Sequence, residues 1–152
     1  MSHEYRATIL WTASGDVLKG QYSRAHEWAF DGGNVVAASA SHSIVPLPWS
    51  DETAVDPEEA FVASLSSCHM LFFVDFARRA GFAVATYTDE AIGRMTKDER
   101  GRMWVSRVEL NPKVTWSTHP PSSDELETLH HKAHDACFIA NSVKTEVATN
   151  LG

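Results

Sequence analysis

The sequence has 152 residues and a formal net charge of −7, from 20 acidic and 13 basic residues. Apolar residues make up 43% and charged residues 22%, a balance that suits one compact folded domain over residues 1–152 and is too apolar for a disordered chain. The acidic surplus excludes an electrostatic footprint for nucleic acid or for an anionic lipid surface. The longest uninterrupted apolar run, Met70 to Val74, is bounded by His69 and Asp75, so no membrane span is expected. The opening Met1-Ser2-His3-Glu4-Tyr5-Arg6 lacks the apolar core of a signal peptide, which predicts a cytoplasmic location. Two cysteines in such a compartment suggest redox or metal chemistry before a structural disulfide.

In chain order, Tyr5 to Thr12 mixes β-branched and aromatic residues and predicts a strand, broken near Ser14-Gly15-Asp16. Trp28 to Phe30 and Val35 to Ala40 flank Asp31-Gly32-Gly33-Asn34, a hairpin signal. Ser43 to Val55 holds Pro46 and Pro48 and predicts an irregular loop. Asp56, Pro57 and Glu59 then supply an N-cap, a first helical position and a capping box, and Gly81 supplies the stop. That predicts a helix of about 24 residues, roughly 36 Å long. Phe61, Val62, Leu65, Leu71, Phe72, Phe73, Val74 and Phe76 go nearly all round it, the signature of a helix buried on every side. A chain of this size has little bulk to hide such a helix, which implies a partner chain. Ala83 to Lys97 and Trp104 to Trp116 predict two strands around an Asp98-Glu99-Arg100-Gly101 turn. Ser122 with Glu125 opens a second helix whose apolar line, Leu126, Leu129 and Ala133, leads to Cys137. Ser142 to Thr149 alternates as a closing half-buried strand.

Cys68 falls in the middle of the first helix, about 20° and 40° from Phe61 and Phe72, and Cys137 ends the second, facing inward. Two small core residues are the plainest reading. Ser64, Ser66 and Ser67 interrupt the apolar helix around Cys68, however, and His69 follows it, which suits the edge of a pocket. A reactive thiol must be a thiolate, and an ordinary cysteine near pH 7 is only a few per cent ionised. A mid-helix cysteine gains nothing from the helix dipole, so a cation must be brought to it. No Lys or Arg occurs between Arg24 and Arg78, and Arg78 lies about 15 Å along the helix. That leaves Arg24, Lys19, His26, His42 and His69, of which Arg24 offers a permanent charge and a fork of donors. The competing reading is a hairpin arginine in solvent. Glu58, ten residues before Cys68, cannot touch that thiol on its own helix. It holds the arginine, comes from an antiparallel copy of the helix, or simply complements the helix dipole.

Asp56-Pro57-Glu58-Glu59-Ala60-Phe61, running into Ala63-Ser64-Leu65-Ser66-Ser67-Cys68-His69-Met70-Leu71, resembles the first-cysteine helix of the OsmC/Ohr family. Ala133-His134-Asp135-Ala136-Cys137 followed by Phe138-Ile139-Ala140-Asn141-Ser142 resembles its second-cysteine segment. The resemblance covers essentially the whole chain. It implies an α+β fold and an intertwined homodimer with the Cys-bearing helices packed centrally against antiparallel sheets. It also implies a thiol peroxidase acting on organic hydroperoxides or hydrogen peroxide, with Cys68 peroxidatic, Cys137 resolving, Glu58 as the family's glutamate and an external dithiol as reductant. No metal or organic cofactor is implied.

Two departures stand out. The loop Pro46-Leu47-Pro48-Trp49-Ser50-Asp51-Glu52 carries two acids where many relatives carry an arginine, which leaves Arg24 to supply the charge. Cys137-Phe138 stands where the better-known members have Cys-Pro, which points to a less characterised branch. Two rival readings accompany the peroxidase. One is a non-catalytic member binding a small hydrophobic ligand or another thiol, with Trp49, Phe61, Phe72 and Phe73 as lining. The other is a metal site from His130, His134 and Cys137, against which the His130-His131 pair reads as a solvated helix edge.

Overall fold

The computed structural model describes residues 2–151 of an α+β chain. It divides into two compact units, Met1–Ala60 and Phe61–Gly152. The first unit holds β1 (Ala7–Leu10), β2 (Gly15–Asp16), β3 (Gln21–Tyr22), β4 (His26–Phe30) and β5 (Val35–Ala38). β1, β4 and β5 form an antiparallel sheet in that order, with Ile9 opposite Trp28 and Trp28 opposite Val36. The predicted turn at Asp31-Gly32-Gly33-Asn34 joins β4 to β5, and Gly33 takes φ 93°, a conformation that a side chain would strain. Gly15-Asp16, expected as a break, opens a small β2–β3 hairpin instead. A Cβ at Gly15 would collide with the carbonyl oxygen of Gln21, so only glycine allows this approach. Residues 39–56 form the predicted loop, tied to the sheet by an isolated bridge between Ala38 and Val55.

α1 (Pro57–Arg79) starts where the sequence predicts, because Asp56 and Glu59 exchange the two hydrogen bonds of a capping box at 2.8 Å each. It ends before Gly81, which takes φ 90°. The second unit continues with β6 (Val84–Asp89), β7 (Ile92–Lys97), β8 (Met103–Leu110), β9 (Pro112–Trp116), α2 (Ser123–Ala136), a 3₁₀ turn (Ala140–Ser142) and β10 (Glu146–Thr149). The two long strands predicted over Ala83 to Lys97 and Trp104 to Trp116 are therefore each broken once. β7 pairs with β8, which also carries β10 in parallel, while β6 pairs with β9 in a separate ribbon. Asp89 and Asn111 make the corner: the Asp89 carboxylate accepts the Asn111 N–H at 2.6 Å, and the Asn111 amide donates to the Glu90 carbonyl at 3.0 Å. A side chain thereby satisfies backbone groups that an unbroken ladder would have paired.

Two apolar clusters fill the second unit. Phe73, Ala77, Phe82, Leu129 and Ala133 join α1 to α2, with Tyr87 and Trp116 packed against them. Leu65, Val108 and Leu110 join α1 to β8, with Val143 and Val147 alongside. Gly93 on β7 lets α1 come close, since a Cβ there would stand 2.5 Å from Val62. Averaged over an 18-residue window, α1 reaches a mean hydropathy of 1.5, long and apolar enough by composition to cross a bilayer. Ser and His interrupt the apolar residues of this window without outweighing them. Its line Leu65, His69, Phe73, Ala77 at four-residue spacing is nonetheless buried within the fold.

Candidate functional site

Cys68 is half-buried midway along α1, and Cys137 occupies the C-cap of α2 with 1% of its surface exposed. Both are free thiols, and the packing of α2 on α1 brings them side by side. Burial pushes the Cys137 thiol up from its ordinary pKa, and the neighbouring Cys68 side chain pushes in the same direction. The Ala140 N–H, donating to Cys137 Sγ at 3.4 Å, opposes that rise. The cap geometry explains the placement. α2 opens with the predicted capping box between Ser122 and Glu125, and its inward line runs down to Cys137, where the backbone leaves the helix at φ −63°, ψ 113°. The chain then re-coils into the 3₁₀ turn that supplies the Ala140 N–H.

Two of the three serines around Cys68 are occupied structurally. Ser64 donates to the Phe61 carbonyl of its own helix at 2.7 Å, Ser66 donates to the Asp89 carboxylate, and Ser67 is exposed. Phe72 and Phe138 meet edge to face, ring centroids 5.0 Å apart, so the residue after Cys137 packs against the residue four positions after Cys68.

Arg24, half-buried in the first unit, donates to the Tyr22 carbonyl at 2.6 Å and the Gly20 carbonyl at 3.2 Å. Its guanidinium lies 3.5 Å from the centroid of the Tyr22 ring. Glu58 sits half-buried in the first turn of α1, ten residues ahead of Cys68 on the same helix. Of the four predicted site residues, the second unit assembles the two cysteines.

The reading of His130-His131 as a solvated edge is corrected for one of the pair. His131 is exposed and faces Asp135 at 3.4 Å, but His130 is 4% exposed and bonds His69, itself 1% exposed, through Nδ1 to Nε2 at 2.9 Å. A signal for this was present: His130 lies seven residues before Cys137, about 20° from it round the helix, and so on the inward stripe. Burial drives both rings to pKa values of about 4, so both are neutral near pH 7. His134 pushes His69 further down and Asp89 pulls it back. His130 Nδ1 is engaged by His69, Cys137 faces Cys68, and among the described residues no three His, Cys, Asp or Glu side chains are grouped to hold an ion.

The sequence profile described as OsmC-like protein matches residues 50–152. An OsmC-like protein of unknown function from Vibrio cholerae superposes with a TM-score of 0.95 at 49% identity, covering 98% of this chain and 99% of that one. An organic hydroperoxide resistance protein from Elizabethkingia anophelis shares the fold at TM-score 0.67 and 22% identity, covering 99% and 100% of the two chains. One from Legionella pneumophila does so at 0.66 and 16%, covering 98% and 96%. Comparison with curated proteins finds no match. The profile spans most of the chain, both cysteines included, and the chain belongs to the OsmC family.

Proposed function

We propose that the protein is a thiol-dependent peroxidase reducing organic hydroperoxides or hydrogen peroxide through Cys68 and Cys137. The observation that carries this reading is the asymmetric thiol pair: a half-buried Cys68 that a dissolved peroxide can reach, beside a buried Cys137 held as a thiol. Membership of a family with relatives named for organic hydroperoxide resistance supports it. The Cys68 thiolate attacks one peroxide oxygen, the O–O bond breaks, and the departing alkoxide takes a proton to leave as alcohol. Cys68 is then a sulfenic acid. The Cys137 sulfur attacks the Cys68 sulfur, the S–O bond breaks, and the hydroxyl leaves as water with the Cys137 proton. An external dithiol restores both thiols by exchange. No step calls for a metal or an organic cofactor.

Arg24 is the proposed source of positive charge for the Cys68 thiolate, and Glu58 the group that holds that guanidinium, from the same chain or from a second copy. A homodimer is part of the proposal. Leu71 on α1 and Phe138 beside Cys137 are 63% and 71% exposed in the single chain, an apolar surface that a partner would cover.

Counting free thiols after a stoichiometric pulse of an alkyl hydroperoxide or of hydrogen peroxide tests the reading. Two thiols per chain should disappear in the native protein and none in Cys68→Ser. Cys137→Ser should lose one and carry a trappable sulfenic acid. Arg24→Ala should slow the first step roughly a hundredfold if its charge acts on the sulfur. Peroxide consumption surviving in Cys68→Ser would overturn the role assignment, and native protein inert to both peroxides would favour a binding protein.

A further inference from the structure

The His69–His130 pair belongs to neither the thiol chemistry nor the apolar clusters, yet it is the most buried polar contact in the second unit. Its geometry is that of a well-made bond. The rings are 8° from parallel with centroids 5.2 Å apart, the separation two imidazoles reach when joined nitrogen to nitrogen in nearly one plane rather than stacked face on face. One face of His130 stacks on Phe73 at 4.1 Å. Among the described residues His69 Nδ1 is buried without a partner, so the bond to His130 is the one polar anchor they give that ring. A bare lone pair there costs less than an unmade N–H. That sets His69 Nε2–H as the donor, His130 Nδ1 as the acceptor, and the His130 Nε2–H toward the groove that His130 lines with His134, Val147 and Thr149.

The positions of the two histidines give the bond its use. His69 is the residue after Cys68, so fixing its ring fixes the turn of α1 that carries the thiol. His130 lies two turns before Cys137 on the same stripe of α2. Apart from the thiols themselves, the remaining ties between these helices among the described residues are apolar and tolerate sliding, whereas a single-plane N–H···N bond does not. We propose that His69 and His130 are positioning residues that hold α1 and α2 in the register that keeps Cys68 and Cys137 within bonding reach. The inference rests on the thiol pair of the proposed function but not on its peroxide chemistry.

The test is thiol–disulfide equilibrium of the full chain with a glutathione buffer, in which oxidised glutathione takes two electrons from the thiols and leaves as two reduced molecules. His130→Phe keeps the ring and its stacking but loses the acceptor. His130→Asn places an amide atom near the Nδ1 position and keeps it. The expected result is a fall of about tenfold in the equilibrium constant for His130→Phe, close to 30 mV for a two-electron couple, with His130→Asn within about twofold of native. Loss of packing alone would penalise the smaller asparagine more. An unchanged constant in His130→Phe, or an equal fall in both variants, overturns the inference. If His130→Phe does not fold, His130→Gln replaces it, its amide lying one bond too far out. It should then fall about tenfold below His130→Asn, and equality overturns the inference. A native protein that closes the disulfide with glutathione yet consumes no peroxide would end the peroxidase reading and leave this one standing.

Discussion

The two units of the chain solve the burial problem differently. In the second, α1 lies between two apolar clusters and buries Leu65, Phe73 and Ala77 almost completely. In the first, the described residues that are buried are only Ala38, Ser39 and Ser50, and all four residues of β1 are exposed. Ile9, Leu10, Trp11 and Leu18 stand in solvent there. A sheet with apolar residues on an open face is an unfinished surface. The thiol pair thus sits in the unit that carries its own core, while the other unit leaves large apolar side chains exposed in the single chain. The disulfide step proposed for Cys68 and Cys137 would require such a packed scaffold under both sulfurs.

The contrast breaks most readily at Phe73. Phe73→Ala should cost about 3–5 kcal/mol, read as a lowered urea midpoint, because it empties the junction of α1, α2 and β6. A loss below about 1 kcal/mol would mean that this core is not the chain's main support.

Acid sharpens the same contrast, since the buried histidines are His69 and His130, both in the second unit. Their folded pKa values of about 4 lie below the ordinary 6.5, so the unfolded chain binds more protons between those values. Stability should therefore be full above pH 6.5, fall by roughly 1.4 kcal/mol per pH unit per histidine on the way to 4, and level off below. Burial sets the position of the step, and His134 and Asp89 act on His69 with opposite sign to adjust it. Hydrogen exchange should show α1 and α2 amides opening first as pH falls. A pH-independent midpoint across this window would contradict the buried neutral pair.

The smallest expected effect on stability comes from β1. Ile9→Asp should stay within about 0.5 kcal/mol in a monomeric background, because Ile9 is exposed in the single chain. The same substitution should shift the assembly toward monomer in sedimentation if this face meets a second copy. Unchanged sedimentation of an oligomeric protein would place the interface elsewhere.

Much of the fold was legible in the sequence because its signals are local. Asp56-Pro57-Glu58-Glu59 and Ser122 with Glu125 announce their helices through hydrogen bonds that close within three residues, and the structure makes those bonds. The Gly33 turn and the inward direction of Cys137 are equally local consequences of backbone freedom and helical period. The broken strands were not legible, because the corner depends on Asp89 reaching Asn111 across 22 residues. The histidine pair was half legible. The period places His130 inward, but nothing local tells an imidazole on that stripe that its partner stands 61 residues away.

Capping and period thus determined by themselves the two helices and the inward direction of Cys137, while the α+β class followed from the resemblance to the OsmC/Ohr family. Only the tertiary structure decided that Cys68 and Cys137 meet, that Ser64 and Ser66 are spent on the fold, and that one histidine of an adjacent pair is core while the other is solvent. The reason is physical. Capping and turn chemistry act over a few ångströms along the chain, whereas pairing a buried thiol or imidazole depends on what the packing of distant elements places opposite it.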